Sequence, residues 1–421
     1  MTTPTASPTA TQEIIDRHDQ YLVGNYGRFP VAIVRGQGVH LYDAEGREYL
    51  DLFAGFGGTI LGHCHPDLVQ AVTEQASKLW HVGNLLHTEP QTLFAQALAK
   101  AGFDGQSFFC HCGSDANEAA IKLARLYGKA HPASDGKGYR YKFITTNHSF
   151  HGRLFGSMML TGQDKVRKGY EPLLEGFTHV PYDDLAAVAD AADARTIAVM
   201  VEPIQGEGGV RVPGDDYLPG LRRLCNERNM LLIVDEVWTG AGRTGRYFAH
   251  QHWDIKPDIM TLAKGVGGGL PVGVLAAAPQ VAKYFQAKHN HGVVAHGTTL
   301  GGNCLSMAVA VAIFNVIHRD NLLDHATKLG EHVKQRVRRA MQGDGRVKEV
   351  RGKGLFLGIE LDPAAKGASF TNVGQVVQKC LDRGVMVNGT QDTVLRLAPP
   401  LTITREQLDL GLDTILDVIR A

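Results

Sequence analysis

Between residues 91 and 302 the sequence alternates helical stretches with short, uninterrupted apolar runs. These runs include 107–110, 141–145, 197–201 and 231–234. A strand that is apolar on both faces belongs in a mostly parallel sheet that helices cover on both sides. In such a sheet, ligands bind beyond the carboxyl ends of the strands. The pattern therefore predicts an α/β fold in which the functional residues directly follow the apolar runs.

The chain is too long for this sheet to be its only unit. At 421 residues it exceeds the roughly 250–300 residues at which a single hydrophobic core stops growing. Short strands and turns precede the alternating region, and helices followed by short strands come after it. We therefore expect a large domain over 66–303 and a smaller α+β domain built from both chain ends, over 13–65 and 304–421. The polar, proline-interrupted start predicts a disordered tail over 1–12.

Composition and charge argue against several classes of function. Lys and Arg together number 43, as do Asp and Glu, so no net charge draws the chain to nucleic acid or to an anionic membrane. No apolar run reaches the roughly 18 residues that cross a bilayer. The start of the sequence lacks the charged and apolar regions of a secretory signal, and six cysteines do not make a disulfide framework. We expect a cytoplasmic protein that binds neither membrane nor nucleic acid.

Two clusters contain residue types that bind metals. They are His63-Cys64-His65 and Cys110-His111-Cys112. Alternating ligands on a strand point to opposite faces, and neither cluster has the spacing of a zinc site. The sequence therefore predicts no metal site.

The polar residues that follow two of the apolar regions have complementary chemistry. Asp235 ends the run 231–234, and Lys264 lies in the glycine-rich segment 261–269. A pyridoxal phosphate enzyme needs an acid that keeps the pyridine nitrogen protonated and a lysine that forms a Schiff base with the cofactor. The pair therefore indicates a pyridoxal phosphate site.

Other strand ends supply groups suited to the rest of such a site. Gly113 and Ser114 begin a helix after the run 107–110, and free amides at a helix N-terminus bind anions such as phosphate. Phe150 can lie against a flat ring, and Arg153 can bind a carboxylate. The loop 202–209 carries two carboxylates, which need cationic partners if they are buried. Each feature alone is equally compatible with ordinary core and surface positions, but together they favour one cofactor site.

Several motifs are shared with a known family over nearly the whole chain after the tail. They are 28–32, 61–66, 116–122, 150–153, 201–209, 235–237, 242–245, 296–299 and 396–400. On these motifs the chain resembles the class III (ornithine-type) pyridoxal phosphate aminotransferases of fold type I, and in particular the acetylornithine aminotransferases. The resemblance implies a seven-stranded, mostly parallel sheet in the large, cofactor-binding domain.

The resemblance also implies a role for individual residues. Lys264 carries the cofactor, Asp235 pairs with its pyridine nitrogen, and the other cofactor contacts come from Gly113, Ser114, Phe150, Val237, Trp238 and the partner subunit's Thr299. The substrate-binding residues are Arg153 and Thr298 for one carboxylate, and Arg396 with its switchable partner Glu207 for the α-carboxylate of 2-oxoglutarate or glutamate. A site shared between subunits implies a homodimer.

The implied reaction moves the terminal amino group of N-acetylornithine to 2-oxoglutarate. Its products are N-acetylglutamate 5-semialdehyde and glutamate, and it belongs to arginine biosynthesis. Another ω-amine transaminase, acting on 4-aminobutyrate, ornithine or succinylornithine, shares nearly every motif. An aminomutase needs the same lysine but no second substrate. These alternatives remain open at the level of sequence.

Several positions depart from the usual family pattern. Trp238 stands where a glutamine commonly contacts the phenolic oxygen of the cofactor. The pair His111-Cys112 replaces the usual Asn-Ser before the phosphate-binding glycine, and Leu86 and Leu300 stand where related enzymes often carry tyrosines. These departures bear on the identity of the amine donor rather than on the class of reaction.

Overall fold

The computed structural model describes residues 9–133, 135–136 and 138–421. In these residues the α-helices are α1 (Ala10–Tyr21), α2 (Ala54–Gly57), α3 (Pro66–Ala76), α4 (Glu89–Lys100), α5 (Gly113–Ala130), α6 (Phe155–Leu160), α7 (Asp164–Arg167), α8 (Leu185–Ala191), α9 (Tyr217–Glu227), α10 (Pro279–Ala282), α11 (Cys304–Arg319), α12 (Leu322–Ala340), α13 (Val373–Asp382) and α14 (Arg405–Arg420). The strands are β1 (Ile33–Gln37), β2 (His40–Asp43), β3 (Glu48–Asp51), β4 (Gln106–Cys110), β5 (Lys142–Thr146), β6 (Phe177–Val180), β7 (Thr196–Val201), β8 (Leu231–Asp235), β9 (Ile259–Leu262), β10 (Gly273–Ala277), β11 (Val347–Lys353), β12 (Phe356–Leu361), β13 (Val385–Met386), β14 (Asn388–Thr390) and β15 (Val394–Leu397).

The largest sheet has seven strands in the order β4-β10-β9-β8-β7-β5-β6. Strand β10 runs antiparallel to both of its neighbours, and the pairs among β9, β8, β7, β5 and β6 are parallel. This arrangement confirms the predicted α/β fold with a mostly parallel, seven-stranded sheet.

The apolar runs are continuous because both faces of this sheet are covered. Every residue of β7 and β8 is buried. In β8, Leu231 and Ile233 pack into one core together with α5, whereas Leu232 and Val234 pack into another together with α9. A strand with one wet face would instead alternate apolar with polar residues.

A smaller part of the fold combines both ends of the chain. One four-stranded sheet has the order β1-β2-β3-β13, in which β13 from the C-terminal region pairs in parallel with β3. Another has the order β11-β12-β15-β14. The predicted α+β unit built from both chain ends is therefore present, while its exact bounds stay a prediction.

The predicted tail over 1–12 falls partly outside the described residues, which begin at residue 9. The prediction does not hold for residues 10–12, because they belong to α1. Thr9 caps this helix by accepting a hydrogen bond from the Gln12 amide, and the Thr11 amide donates to Glu45 Oε1 at 2.8 Å. These bonds offset the weak helix propensity of the threonines. In the described residues, no helix combines the length and the apolar character that spanning a bilayer requires.

Candidate active site

A cavity of about 280 Å³ opens beyond the carboxyl ends of the central strands, where ligands of such sheets bind. Most of the site residues predicted from the sequence line it, namely Gly113, Ser114, Phe150, Glu207, Asp235, Val237, Trp238 and Lys264. Long stretches of sequence separate these residues. The parallel sheet brings them together because its strands end at a common edge.

Asp235, the last residue of β8, is 3% exposed and is held by three groups. Its Oδ1 accepts a hydrogen bond from the Val237 amide at 2.9 Å. Its Oδ2 accepts one from Asn117 Nδ2 at 2.8 Å and lies 2.7 Å from His151 Nδ1. Burying a carboxylate without such partners is costly. The acid is therefore fixed in place and directed into the cavity.

Sequence reasoning assigned no role to Asn117 and His151, although both lie within the motifs shared with the family. Each is 1% exposed, and each also belongs to a predicted segment: Asn117 lies in the first turns of α5, and His151 directly follows Phe150. A buried polar residue close to a predicted ligand-binding turn is the signal that points to such a role.

Lys264 follows β9 and lines the same cavity as Asp235. It has a left-handed backbone, with φ of 49°, which is uncommon for a residue other than glycine and clusters at functional sites. Burial lowers the pKa of Lys264 to about 8, an effect that Glu207 opposes and Arg396 reinforces. The amine is therefore a better nucleophile near neutral pH than an exposed lysine.

The N-terminus of α5 borders the cavity through Gly113 and Ser114. A Cβ atom on Gly113 would lie 2.7 Å from Val237 Cγ1, so only glycine allows this close approach. Ser114 Oγ accepts a hydrogen bond from the Arg153 amide at 3.1 Å. The first amides of this 18-residue helix have no partner within the helix, and the helix dipole favours a negative charge beside them.

Phe150 and Glu202 are joined on the wall of the cavity. The Phe150 amide donates to Glu202 Oε1 at 2.9 Å, and the Gly206 amide donates to Glu202 Oε2 at 3.0 Å. Burial raises the pKa of Glu202 to about 7. The carboxylate thus fixes the backbone on which the Phe150 ring is mounted and links it to the loop that carries Glu207.

Arg396 lies behind the cavity wall and is 1% exposed. Its Nη1 atom is 3.2 Å from Glu207 Oε1 and donates to the Gly206 carbonyl at 3.1 Å. Burial lowers the pKa of Arg396, an effect that Glu207 opposes. Glu207 lines the cavity, whereas Arg396, with which it is paired, does not.

Besides Arg396, three predicted site residues do not line the cavity of their own chain. Arg153 is exposed, and its guanidinium carbon lies 5.7 Å from the centroid of the Phe150 ring. Thr298 Oγ1 lies 2.8 Å from His111 Nδ1, and Thr299 is exposed. The single chain therefore places Arg153 at the rim and both threonines outside.

The departures from the family pattern at 111–112, 86 and 300 differ in their surroundings. His111 lines the cavity, and its Nδ1 atom is 3.1 Å from Asp115 Oδ2. Asp115 Oδ1 in turn lies 2.7 Å from His296 Nε2. The side chains of Leu86 and Leu300 are 62% and 50% exposed.

The donor set of the cavity fits pyridoxal phosphate. The cavity has a buried acid suited to the pyridine nitrogen, a half-buried amine suited to the aldehyde carbon and a helix N-terminus suited to the phosphate. Phe150 and Val237 supply apolar surface for the ring. These three chemical requirements of the cofactor are met by Asp235, Lys264 and the turn at 113–114.

Comparison with known proteins identifies the family. The family described as aminotransferase class-III matches residues 21–419. The acetylornithine aminotransferase of Caldanaerobacter subterraneus subsp. tengcongensis is 41% identical over 406 residues, which make up 96% of this chain and 99% of that relative. The ornithine aminotransferase of Toxoplasma gondii ME49 superposes with a TM-score of 0.89 at 32% identity, covering 98% of this chain and 95% of that one. A structure of the Toxoplasma gondii enzyme reported to have partial occupancy of PLP at the active site gives the same TM-score of 0.89 and 32% identity, covering 98% of this chain and 94% of that one. The chain belongs to the class III aminotransferases.

Proposed function

We propose that this protein is a pyridoxal 5′-phosphate-dependent aminotransferase that moves the terminal amino group of N-acetylornithine to 2-oxoglutarate. The products are N-acetylglutamate 5-semialdehyde and glutamate, as in arginine biosynthesis. The observation that carries the proposal is the cavity that the buried acid Asp235 and the half-buried amine Lys264 line together beside a helix N-terminus. The names of relatives such as the acetylornithine aminotransferase of Caldanaerobacter support the choice of donor.

Asp235 and Lys264 have distinct tasks in this reaction. When bound, the cofactor supplies an electron sink for the charge that develops on the substrate carbon. Asp235, held by Asn117 and His151, keeps a proton on the pyridine nitrogen. Lys264 Nζ takes a proton from the substrate carbon that bears the amino group and later returns one, as a general base and then a general acid.

The remaining residues bind and orient. The amides at Gly113 and Ser114 bind the phosphate, and the partner subunit's Thr299 adds to this site. Phe150, Val237 and Trp238 contact the cofactor ring. Arg153 and Thr298 bind a substrate carboxylate at the rim.

Arg396 and Glu207 allow one cavity to accept two different substrates. With Glu207 in place at 3.2 Å, the guanidinium is neutralised and the cavity accepts a donor that has no carboxylate beside its reacting amine. When Glu207 moves away, Arg396 binds the α-carboxylate of 2-oxoglutarate or glutamate. Such alternation fits a reaction in which the first product leaves before the second substrate binds.

A second candidate is a transaminase that acts on ornithine, 4-aminobutyrate or succinylornithine. The high structural similarity to the ornithine aminotransferase of Toxoplasma gondii favours it. An aminomutase is a third reading, and it predicts turnover without 2-oxoglutarate.

A panel of donors separates these functions. Each donor is mixed with the enzyme without 2-oxoglutarate, and the conversion of the cofactor to its amino form is followed by absorbance. We expect N-acetylornithine to give the highest rate per concentration, and initial velocities with 2-oxoglutarate to give parallel double-reciprocal lines. A faster rate with ornithine or 4-aminobutyrate, beside a negligible one with N-acetylornithine, would overturn the assigned donor.

We also propose a homodimer that shares its active sites. Exposed apolar side chains cluster in the segment 79–86 and the loop 293–300, among them Trp80, Leu85 and Val294. Asn84 joins the two segments, because its Nδ2 atom donates to the carbonyls of Thr298 and Gly301. Contiguous apolar surface of this kind marks protein interfaces. Thr299 lies in the second of these segments and is exposed, so we propose that it reaches the site of the partner.

Mixing two inactive variants tests the shared site. Lys264→Ala removes the amine, and Thr299→Arg blocks the phosphate site of the partner. Statistical exchange of subunits should restore about a quarter of wild-type activity, since half of the dimers then contain one intact site. If each site were built from one chain, the mixture would stay inactive.

A cytoplasmic location is part of the same proposal. All six cysteines are free in the structure, which fits a reducing compartment. Cell fractionation with detection of the tagged protein tests it.

A further inference from the structure

Trp238 contacts two cations of the site. Lys264 Nζ lies 3.7 Å from the centroid of its ring, and the guanidinium carbon of Arg396 lies 4.1 Å from it. The side chain is 6% exposed, and cation–π contacts are strongest where water is excluded. A single indole thus contacts both the reacting amine and the guanidinium proposed to bind carboxylates.

The protein leaves room for this indole at two glycines. A Cβ atom on Gly206 would lie 2.7 Å from Trp238 Cε3, and one on Gly57 would lie 2.6 Å from Trp238 Nε1. The ring of Phe356 packs on it with centroids 5.2 Å apart. Because protein interiors are close-packed, a ring enclosed in this way has little freedom to move. Trp238 is therefore a rigid element of the site.

The partners of Arg396 differ in what happens to them when a carboxylate binds. Glu207, at 3.2 Å, must leave. The Gly206 carbonyl, the Asn388 side-chain oxygen and the Trp238 ring stay. Among the described residues, no group pairs with the buried Arg396 Nε. Once Glu207 has left, the indole is the nearest aromatic ring to the guanidinium among the described residues, since the ring centroids of Phe53 and Phe56 lie farther away, at 5.8 and 5.9 Å.

We propose that Trp238 is a positioning residue that holds Arg396 in its carboxylate-binding orientation while Glu207 is displaced, and that it thereby sets the affinity for the dicarboxylate acceptor. This inference rests on the proposed role of Arg396 as the carboxylate site. A fixed guanidinium loses less conformational entropy on binding than a free one. The enclosed Trp238 ring therefore holds the Arg396 guanidinium in place when its ion pair with Glu207 is broken.

Binding of glutarate tests the inference without turnover, because this dicarboxylate has no keto group. Calorimetric titration of the cofactor-loaded enzyme with glutarate should give a dissociation constant about tenfold higher for Trp238→Gln and a smaller increase for Trp238→Phe, which keeps a ring. The KM for 2-oxoglutarate should rise in parallel. Trp253→Phe, a buried tryptophan that does not line the cavity, is the matched control and should bind glutarate like the wild type.

Arg396→Gln distinguishes the proposed carboxylate site at Arg396 from the proposed role of Trp238. Loss of glutarate binding in Arg396→Gln, with dissociation constants within twofold of wild type in both Trp238 variants, overturns the role of Trp238 alone. Unchanged glutarate binding in Arg396→Gln overturns the proposed carboxylate site itself. Circular dichroism confirms folding, and if Trp238→Gln does not fold, the Trp238→Phe result decides, because a wild-type dissociation constant there refutes the inference.

Discussion

Removing the side-chain amide of Asn117 should lower both the stability of the fold and the affinity for the cofactor. Asn117 Nδ2 donates to Asp235 Oδ2 at 2.8 Å and to the His151 carbonyl at 2.6 Å. A hydrogen bond to a charged group contributes about 1.5–3 kcal/mol and a neutral one about 1 kcal/mol. Asn117→Leu keeps the size of the side chain and removes both donors. We expect the free energy of unfolding to fall by about 3 kcal/mol.

The affinity for the cofactor should report the effect of the same substitution on the site. Loss of one charge-assisted bond at Asp235 leaves the acid less firmly held, and a loss of about 1.4 kcal/mol weakens cofactor binding about tenfold. Urea unfolding of the cofactor-free protein measures the first effect, and titration with pyridoxal phosphate followed by absorbance measures the second. Asn226→Leu, at an exposed position on α9, is the control. Wild-type cofactor affinity in Asn117→Leu would refute the role we assign to this bond.

Three further changes have outcomes that follow from single features of the site. In the cofactor-free protein the pKa of Lys264 is lowered to about 8 from 10.5, so its burial destabilises the fold below pH 8 and ceases to do so above pH 10.5. Lys264→Met should therefore raise the free energy of unfolding by about 3 kcal/mol at pH 7. In urea titrations this gain should be smaller at pH 9.5. Gly113→Ala places a Cβ atom 2.7 Å from Val237 Cγ1 and should lower cofactor affinity by about tenfold or more, measured by absorbance titration; an unchanged affinity would show that the turn adjusts. Asp115→Asn removes the negative charge between His111 and His296, and His296 lies in the loop 293–300 together with Thr299. This variant should have a lower cofactor affinity in the dimer, while the absorbance maximum of the bound cofactor should stay unchanged.

The site residues at the ends of the central strands could be predicted from sequence, because parallel strands end at a common edge of the sheet. The runs 197–201 and 231–234 are apolar throughout, and this pattern alone indicates strands buried on both faces. Once the strands are parallel, Asp235 must lie at the same edge as the residues that follow the neighbouring strands. The convergence of Asp235 and Lys264 on one cavity therefore follows from a local pattern and a rule of topology.

Contacts between distant segments could not be predicted in this way. Asn117 looks like any polar residue of a helix until the fold places it against Asp235, which is far away along the chain. The bond between Thr298 and His111 likewise depends on how a loop without regular structure crosses the sheet edge. The start of α1 was missed for a local reason, since its cap and the Thr11 bond to Glu45 outweigh a composition typical of tails.

The position of Trp238 explains why the class of reaction is better determined than the substrate. Asp235 and Lys264 are carried by strands of the central sheet, whereas Arg396 is carried by β15 and Gly57 by α2, outside that sheet. Trp238 lies where these two parts meet, with Lys264 on its ring at 3.7 Å and Arg396 at 4.1 Å. A substitution at position 238 leaves the hydrogen-bond partners of Asp235 unchanged. It alters the shape of the cavity and the surroundings of the Lys264 amine and the Arg396 guanidinium. The groups that hold Asp235 and the choice of carboxylate at Arg396 can therefore vary separately.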